Sequence, residues 1–392
     1  MSGPVVADLG EAGLLARITP LLPSGRDVLV GPGDDCAVLA APDGRYCVST
    51  DVLVEGRHFR TDWSSGFDVG ARAATQNLAD VAAMGARPVA LVACLVLPGA
   101  TPVDWVVDLA RGMALRCREA GAAVVGGDLS AGEGLVVAVT VHGDLEGRAP
   151  VLRSGARPGQ ALVLAGAPGR AAAGLALLEA GWGRRDDDEA GLAGAAAVPE
   201  TAAVAETDAA LALAEDCAAV FRAPRPPLKA GPALAGIGAS AMMDVSDSLV
   251  RDCGRIALAS GVVIDIDDPD DDCAALAADR AELEGVVTLV PEARSAARGT
   301  DAARGTGAAR GTGAAVGTGG IRPDPRETAR NWVLTGGEDH GMLATVPADA
   351  ARSLPEGARV IGRVRRAGGA GPGVLVGTRP WSGAQGWDHF RA

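Results

Sequence analysis

Aromatic side chains are scarce: Phe, Trp and Tyr make up 3% of 392 residues. A core without them must be built from Ala, Val, Leu and Ile, which the 48% hydrophobic content provides. Basic charge is short as well. The formal net charge is −13, which disfavours a surface for nucleic acid or anionic membrane, because phosphate backbones select basic patches. A small phosphorylated substrate stays compatible, since bound cations reverse the local field. No apolar run is long enough to cross a bilayer, and the longest, Val89–Leu97, reads as a buried strand. The seven cysteines form no CxxC pair. An odd, scattered set points to reduced thiols and a cytoplasmic location. With Asp8 and Glu11 and no basic flank before an apolar run, the N-terminus is not expected to act as a signal peptide.

Missing motifs narrow the chemistry further. The chain has no GxxxxGK[ST] phosphate loop, no HRD or DFG set and no HExxH. Its four histidines include no pair at zinc spacing, and no nucleophile elbow marks a Ser-His-Asp triad. The EF-hand spacing is absent too, which weakens a calcium-binding or scaffold reading.

What is present is a repeating order of strand and helix signals. Arg45–Thr50 reads as a strand and Asp68–Met84 as a helix stopped by Gly85, with Pro88 beyond. Val89–Leu97 (strand), Pro102–Ala120 (helix), Ala122–Val125 and Leu135–Val141 (strands) follow. This order predicts an open mixed sheet with helices on one face. The turn Gly155-Ala-Arg-Pro-Gly159 marks a boundary, giving domains over 1–150 and 151–392. In the second half, Ala161–Leu164, Ser240–Val245, Val262–Ile266, Val360–Val364 and Gly373–Val376 read as strands. Gly169–Glu179, Thr201–Ala218 and Ser246–Ser260 read as helices, and Asn331–Leu334 as a strand entering a glycine-acid turn. Ser295–Thr318 consists of four hexapeptide copies of the Ala-Ala-Arg-Gly-Thr type. These carry no large apolar residue for a β-helix coil to bury. Gly and Ala return little burial for the entropy lost on ordering, so a disordered insertion over 292–322 is expected.

The chemistry lies in acids at glycine turns and strand edges. Gly31-Pro-Gly-Asp-Asp35 puts two acids on a turn, and Ser49-Thr50-Asp51 follows an apolar run. Asp80, Asp128 after Gly126-Gly127, and Asp244 with Asp247 complete the set. Asp80 sits mid-helix, three residues from Asn77, on an otherwise small and apolar stretch, so it needs a partner. Mg²⁺ takes an octahedral shell of oxygens from a few carboxylates plus substrate phosphates, and these acids fit that demand. Exposed N–H groups at glycines suit phosphate oxygens.

Taken in order, several motifs resemble the thiamine-monophosphate kinase family: Gly31-Pro-Gly-Asp-Asp-Cys-Ala37, the stretch from Ser49 to Phe59, Asn77-Leu-Ala-Asp80, Gly126-Gly-Asp128, Arg153-Ser-Gly155, Asp244-Val-Ser-Asp247 and Gly336-Gly-Glu-Asp339. The resemblance implies the two-domain α/β (α+β) fold of the aminoimidazole ribonucleotide synthetase superfamily, and a homodimer formed by the N-terminal sheets. It implies transfer of the γ-phosphoryl group of ATP to thiamine monophosphate. By the family pattern, Asp35, Ser49, Thr50, Asp51, Asp80, Asp128, Asp244 and Asp247 hold several Mg²⁺ ions, and Asp51, Asp128 and Asp244 carry turnover. Gly127, Asp128, Arg153 and Ser246 meet ATP, and His58, Glu338 and Trp387 meet the thiamine end. Ser248 stands where the family usually has glycine, and His340-Gly341 where Tyr-Glu is common. The alternatives are a hydrogenase-maturation or aminoimidazole ribonucleotide synthetase-like enzyme, or a non-catalytic nucleotide- or cation-binding protein.

Overall fold

The computed structural model describes residues 3–31, 37–183, 204–301, 324–384 and 386, with side chains omitted at 204–207 and 291–301. The chain divides into two units, Met1–Val151 with Arg222–Gly236, and Leu152–Phe221 with Ile237–Ala392.

In the first unit, α1 (Val6–Ile18) leads to the short strands β1 (Val28–Val30) and β2 (Val38–Leu39). Then come β3 (Cys47–Val54), α2 (Gly66–Ala83), β4 (Arg87–Leu97), α3 (Val103–Ala120), β5 (Ala123–Ala131) and β6 (Val136–Asp144). The sheet order is β3-β6-β4-β5, antiparallel except for β4–β5. That parallel pair is joined by α3, as a parallel connection requires a crossover. Leu53, Leu91, Leu95, Val137, Val139 and Val141 face the buried sides of α2 and α3. Each fully buried aliphatic side chain of this kind contributes about 1.5–3 kcal/mol.

With few aromatic rings to fill space, the two helices approach backbone to backbone. A Cβ on Gly66 or Gly70 of α2 would lie 1.9 Å from the Trp105 or Leu109 carbonyl oxygen, and one on Gly112 of α3 would lie 2.0 Å from that of Phe67. Only glycine fits such a crossing. The same device draws in Arg222–Gly236, a segment expected in the second domain. Its helix α6 (Ala230–Gly236) sets Gly231 where a Cβ would meet the Ala82 oxygen at 2.0 Å, and Leu228 packs on the first core.

The second unit is built on seven strands. In chain order these are β7 (Ala161–Ala165), β8 (Ala241–Val245), β9 (Val262–Ile266), β10 (Gly341–Val346), β11 (Ala358–Arg366), β12 (Gly373–Val376) and β13 (Arg379–Pro380). Their order in the sheet is β13-β12-β9-β11-β7-β10-β8. The helices are α4 (Arg170–Glu179), α5 (Val204–Arg222, leaving the unit at its last residue), α7 (Leu249–Ser260), α8 (Leu276–Asp301) and α9 (Pro325–Thr335). Leu164, Met243, Ile264 and Leu343 from the strands meet Leu177, Ile256, Leu283 and Val333 from the helices in one core.

Two expectations are corrected here. Asn331–Leu334 is the end of helix α9, not a strand. Asp324 caps that helix by accepting the Arg326 N–H at 3.0 Å, Pro325 opens it, and Ala329 and Val333 bury one face at helical spacing. The first repeat copy, Ser295–Thr300, falls within α8 rather than in an unstructured insertion. Its Ala and Arg residues favour continuing a helix already begun. The later copies lie outside the described residues.

Candidate functional site

In the first unit, β3 and α2 meet through polar groups. Alternation along β3 turns Ser49, Asp51 and Leu53 to the helix side and Val48, Thr50 and Val52 away from it. Ser49 Oγ donates to Asp80 Oδ2 at 2.7 Å. The Asp51 backbone N–H donates to Asn77 Oδ1 at 3.2 Å, and Asn77 Nδ2 donates to the Ala73 carbonyl at 2.9 Å. Ser49, from the neighbouring strand, is thus a partner of the kind that mid-helix Asp80 demands. The side chains of Ser49, Asp51 and Asp80 offer oxygen ligand atoms, the set a hard cation selects.

Thr50 and Asp128 do not join this cluster. Thr50 Oγ1 donates to the Val139 carbonyl at 3.0 Å and accepts from Thr140 Oγ1 at 3.1 Å. Asp128 is in register with exposed Cys94, while its neighbour Leu129 is in register with buried Leu95. The carboxylate therefore faces away from the helices, and it accepts from Ser130 Oγ at 3.0 Å. Asp51 and Asp128 sit inside strands, not at their ends. The two-residue side-chain period of β3 makes the separation of Thr50 unavoidable, and the register with β4 sets that of Asp128. Among the described residues, no three His, Cys, Asp or Glu side chains gather as a metal centre. Asp35 and Trp387 lie outside the described residues.

His58 closes the turn after β3. Its Nδ1 accepts the Val54 N–H at 3.0 Å, so the neutral ring carries its proton on Nε2. Gly127 lies so near β4 that a Cβ would meet the Ala93 oxygen at 1.9 Å.

In the second unit, the acids sit on β8 and the turn that follows it. Asp244 Oδ2 is 3.0 Å from His340 Nδ1, and both residues are buried. Glu338 Oε2 lies 3.5 Å from His340 Nε2, an ion-pair distance and not a hydrogen bond. Burial opposes the charge on His340, but the Asp244 and Glu338 carboxylates outweigh it and hold its pKa up at about 10. Glu338 and His340 have left-handed backbones, φ 71° and 53°. They are held there by Glu338 N–H to the Ser246 oxygen at 2.7 Å and His340 N–H to the Val245 oxygen at 2.9 Å. Gly337 is required between the two segments, since a Cβ would come within 2.4 Å of the Ser246 oxygen.

Asp247 pairs with Arg255 Nη2, and Ser248 caps α7 by accepting the Arg251 N–H at 3.1 Å. The serine at the usual glycine position thus serves as a helix cap. Arg153 has an exposed side chain on a 3₁₀ turn whose carbonyl accepts from Ser260 Oγ at 2.8 Å. Two acids not singled out from the sequence are structural keys. Asp339 accepts the Gly169 and Ala171 N–H groups at 2.7 and 2.8 Å, closing the start of α4. Burial pushes its pKa up to about 6, against the pull of those two donors. Asp252 is fully buried, and burial pushes it to about 6 as well, partly offset by Arg255.

This arrangement, a mixed α/β sheet unit with acids on its strands, has a counterpart among known families. Residues 33–145 match the model for the AIR synthase related protein, N-terminal domain. The thiamine-monophosphate kinase of Mycobacterium tuberculosis is 40% identical over 388 residues, covering 99% of this chain and 93% of the relative. The chain belongs to the thiamine-monophosphate kinase family. A crystal structure of the Stenotrophomonas maltophilia enzyme is 26% identical with a TM-score of 0.65, covering 94% of this chain and 95% of that one. A structure of AaThiL complexed with AMPPCP and TMP is 25% identical with a TM-score of 0.60, covering 98% of each chain.

Proposed function

We propose that this chain transfers the γ-phosphoryl group of ATP directly to the phosphate of thiamine monophosphate, giving thiamine diphosphate and ADP. Family membership across almost the whole length carries this reading. Phosphoryl transfer relies on positioning and charge neutralisation, and the acceptor is already an ionised phosphate oxygen, so neither a protein nucleophile nor a strong general base is required. Bound Mg²⁺ would supply the charge neutralisation that the two polyanions need.

The oxygen donor set of Ser49, Asp51 and Asp80 fits that ion. In this reading Asp35, Thr50, Asp128, Asp244 and Asp247 serve as ligands of further Mg²⁺ ions, and Asp51, Asp128 and Asp244 carry most of the turnover. Gly127, Asp128, Arg153 and Ser246 take ATP, with the exposed Arg153 guanidinium free to clamp a phosphate. Glu338 faces the thiazolium cation, His58 offers a hydrogen bond to thiamine, and Trp387 stacks on its rings. The open face of the first sheet, where Val48 and Val52 are 62% and 46% exposed, is the surface for a second copy of the chain. The six described cysteines form no disulfide, in keeping with a cytoplasmic setting. Among the described residues no helix is long and apolar enough to cross a membrane.

Chromatography of a reaction with purified chain, ATP, Mg²⁺ and thiamine monophosphate tests the activity. Thiamine diphosphate should form, EDTA should stop its formation, and added Mg²⁺ should restore it. ATP binding by calorimetry without any thiamine diphosphate would overturn the reading.

A further inference from the structure

The turn between β8 and α7 is held by a carboxylate that the reaction above leaves without a role. Asp252 lies in the first turn of α7 and is fully buried. Its Oδ2 accepts three successive backbone N–H groups, from Ser246 at 3.2 Å, Asp247 at 3.2 Å and Ser248 at 3.3 Å. Its Oδ1 accepts from Arg255 Nη1 at 2.6 Å. The other arm of the same guanidinium, Nη2, donates to Asp247 Oδ2.

Helix capping does not account for this. The cap of α7 is Ser248, which already accepts the Arg251 N–H. Asp252 reaches back beyond the helix start, to the turn that presents Asp247. It holds that residue twice, by its main-chain N–H and, through the fork of Arg255, by its carboxylate. Because Asp252 is buried, it acts on a ligand only through the turn residues it holds, and Asp247 is the one it holds twice.

We propose that Asp252 is a positioning residue that, together with Arg255, aims the Asp247 carboxylate at a divalent cation. The proposal rests on the reading of Asp247 as a cation ligand. Asp252→Asn keeps the side-chain shape but replaces one acceptor oxygen with a donor, so either the three N–H groups or Arg255 lose their partner.

The test uses the full chain with a non-hydrolysable ATP analogue. Mn²⁺ serves as a spectroscopic probe for Mg²⁺, with affinity read by electron paramagnetic resonance. D252N should weaken Mn²⁺ binding about tenfold, the low end for groups that orient a ligand, while KM for thiamine monophosphate changes by less than about twofold. In a D247N background, D252N should add no further loss, since both act on one ligand. Wild-type Mn²⁺ affinity in D252N, with loss in D247N, overturns the positioning role and leaves the ligand role standing. Wild-type affinity in D247N removes the ligand role and the proposal with it. Cys253→Ala, on the same helix, controls for loosening of α7: an equal Mn²⁺ loss there overturns the proposal. If D252N does not fold, Arg255→Lys keeps the charge but cannot bridge both carboxylates. It should weaken Mn²⁺ in the same direction, and unchanged affinity overturns the proposal.

Discussion

On β3 and α2 of the first unit, Ser49 donates a hydroxyl to Asp80 and Asn77 accepts the Asp51 N–H. In the second unit, Asp247 and Asp252 share the guanidinium of Arg255, Asp244 leans on the imidazole of His340, and Asp339 closes a helix. A hydroxyl donor orients a carboxylate and leaves its charge in place. An arginine or a protonated histidine supplies the opposite charge and lowers the cost of burial. The described partners of these acids therefore differ in kind: a hydroxyl at Asp80, a guanidinium at Asp247 and Asp252, an imidazole at Asp244. A cation at Asp244 or Asp247 would share the carboxylate with His340 or Arg255.

The largest effect expected from this contrast is in the first unit. Asp80→Asn and Asp51→Asn should each lower kcat about a thousandfold, the scale of several kcal/mol of lost charge stabilisation. Thermal denaturation should show little change in Tm. Turnover near the wild-type rate in either variant would erase the distinction between the units.

Asp339→Ala should act the other way round. It leaves two buried N–H groups at the start of α4 without an acceptor, at a cost of roughly 1–3 kcal/mol. Denaturant titration should show that loss, with the folded fraction keeping most of its kcat. Unchanged stability would mean that α4 closes its own end.

The smallest effect is a pH slope. The folded-state pKa of His340 is raised from 6.5 to about 10. The stability it contributes is fully present below about pH 6.5 and is lost as pH rises through about 10. In metal-free protein, Tm should fall across that window, and His340→Gln should flatten the fall. An identical slope in both chains would show that Asp244 and Glu338 do not hold a charged imidazole.

Part of the geometry around β3 and α2 could be read before folding was considered. Asp80 stood out because a carboxylate on a small, apolar helix face requires a partner. The strand that supplies that partner, β3, was also legible. Even the split between Asp51 and Thr50 lay in the alternation of Ser49-Thr50-Asp51, which a two-residue period turns to opposite faces. Asn331-Trp-Val-Leu334 misled because aromatic and β-branched residues favour strands. Asp324-Pro325, a cap followed by proline at the first helical position, was the signal for a helix. Asp252 suits the dipole at the first turn of its helix, and the sequence did not single it out. Nothing local revealed that it reaches back to three N–H groups. The role of Asp339 was hidden more deeply, because its donors lie 168 and 170 residues away in the chain.

The order of the acid and glycine motifs, the strand and helix periods and the shortage of aromatic rings are properties of the chain itself. They determined the family and the type of sheet, and they placed acids on strands and glycine turns. Which carboxylate received a hydroxyl, which a guanidinium and which a helix end was decided only by the tertiary structure. The sequence supplies more donors and acceptors than can pair, and packing brings one particular set within hydrogen-bonding distance.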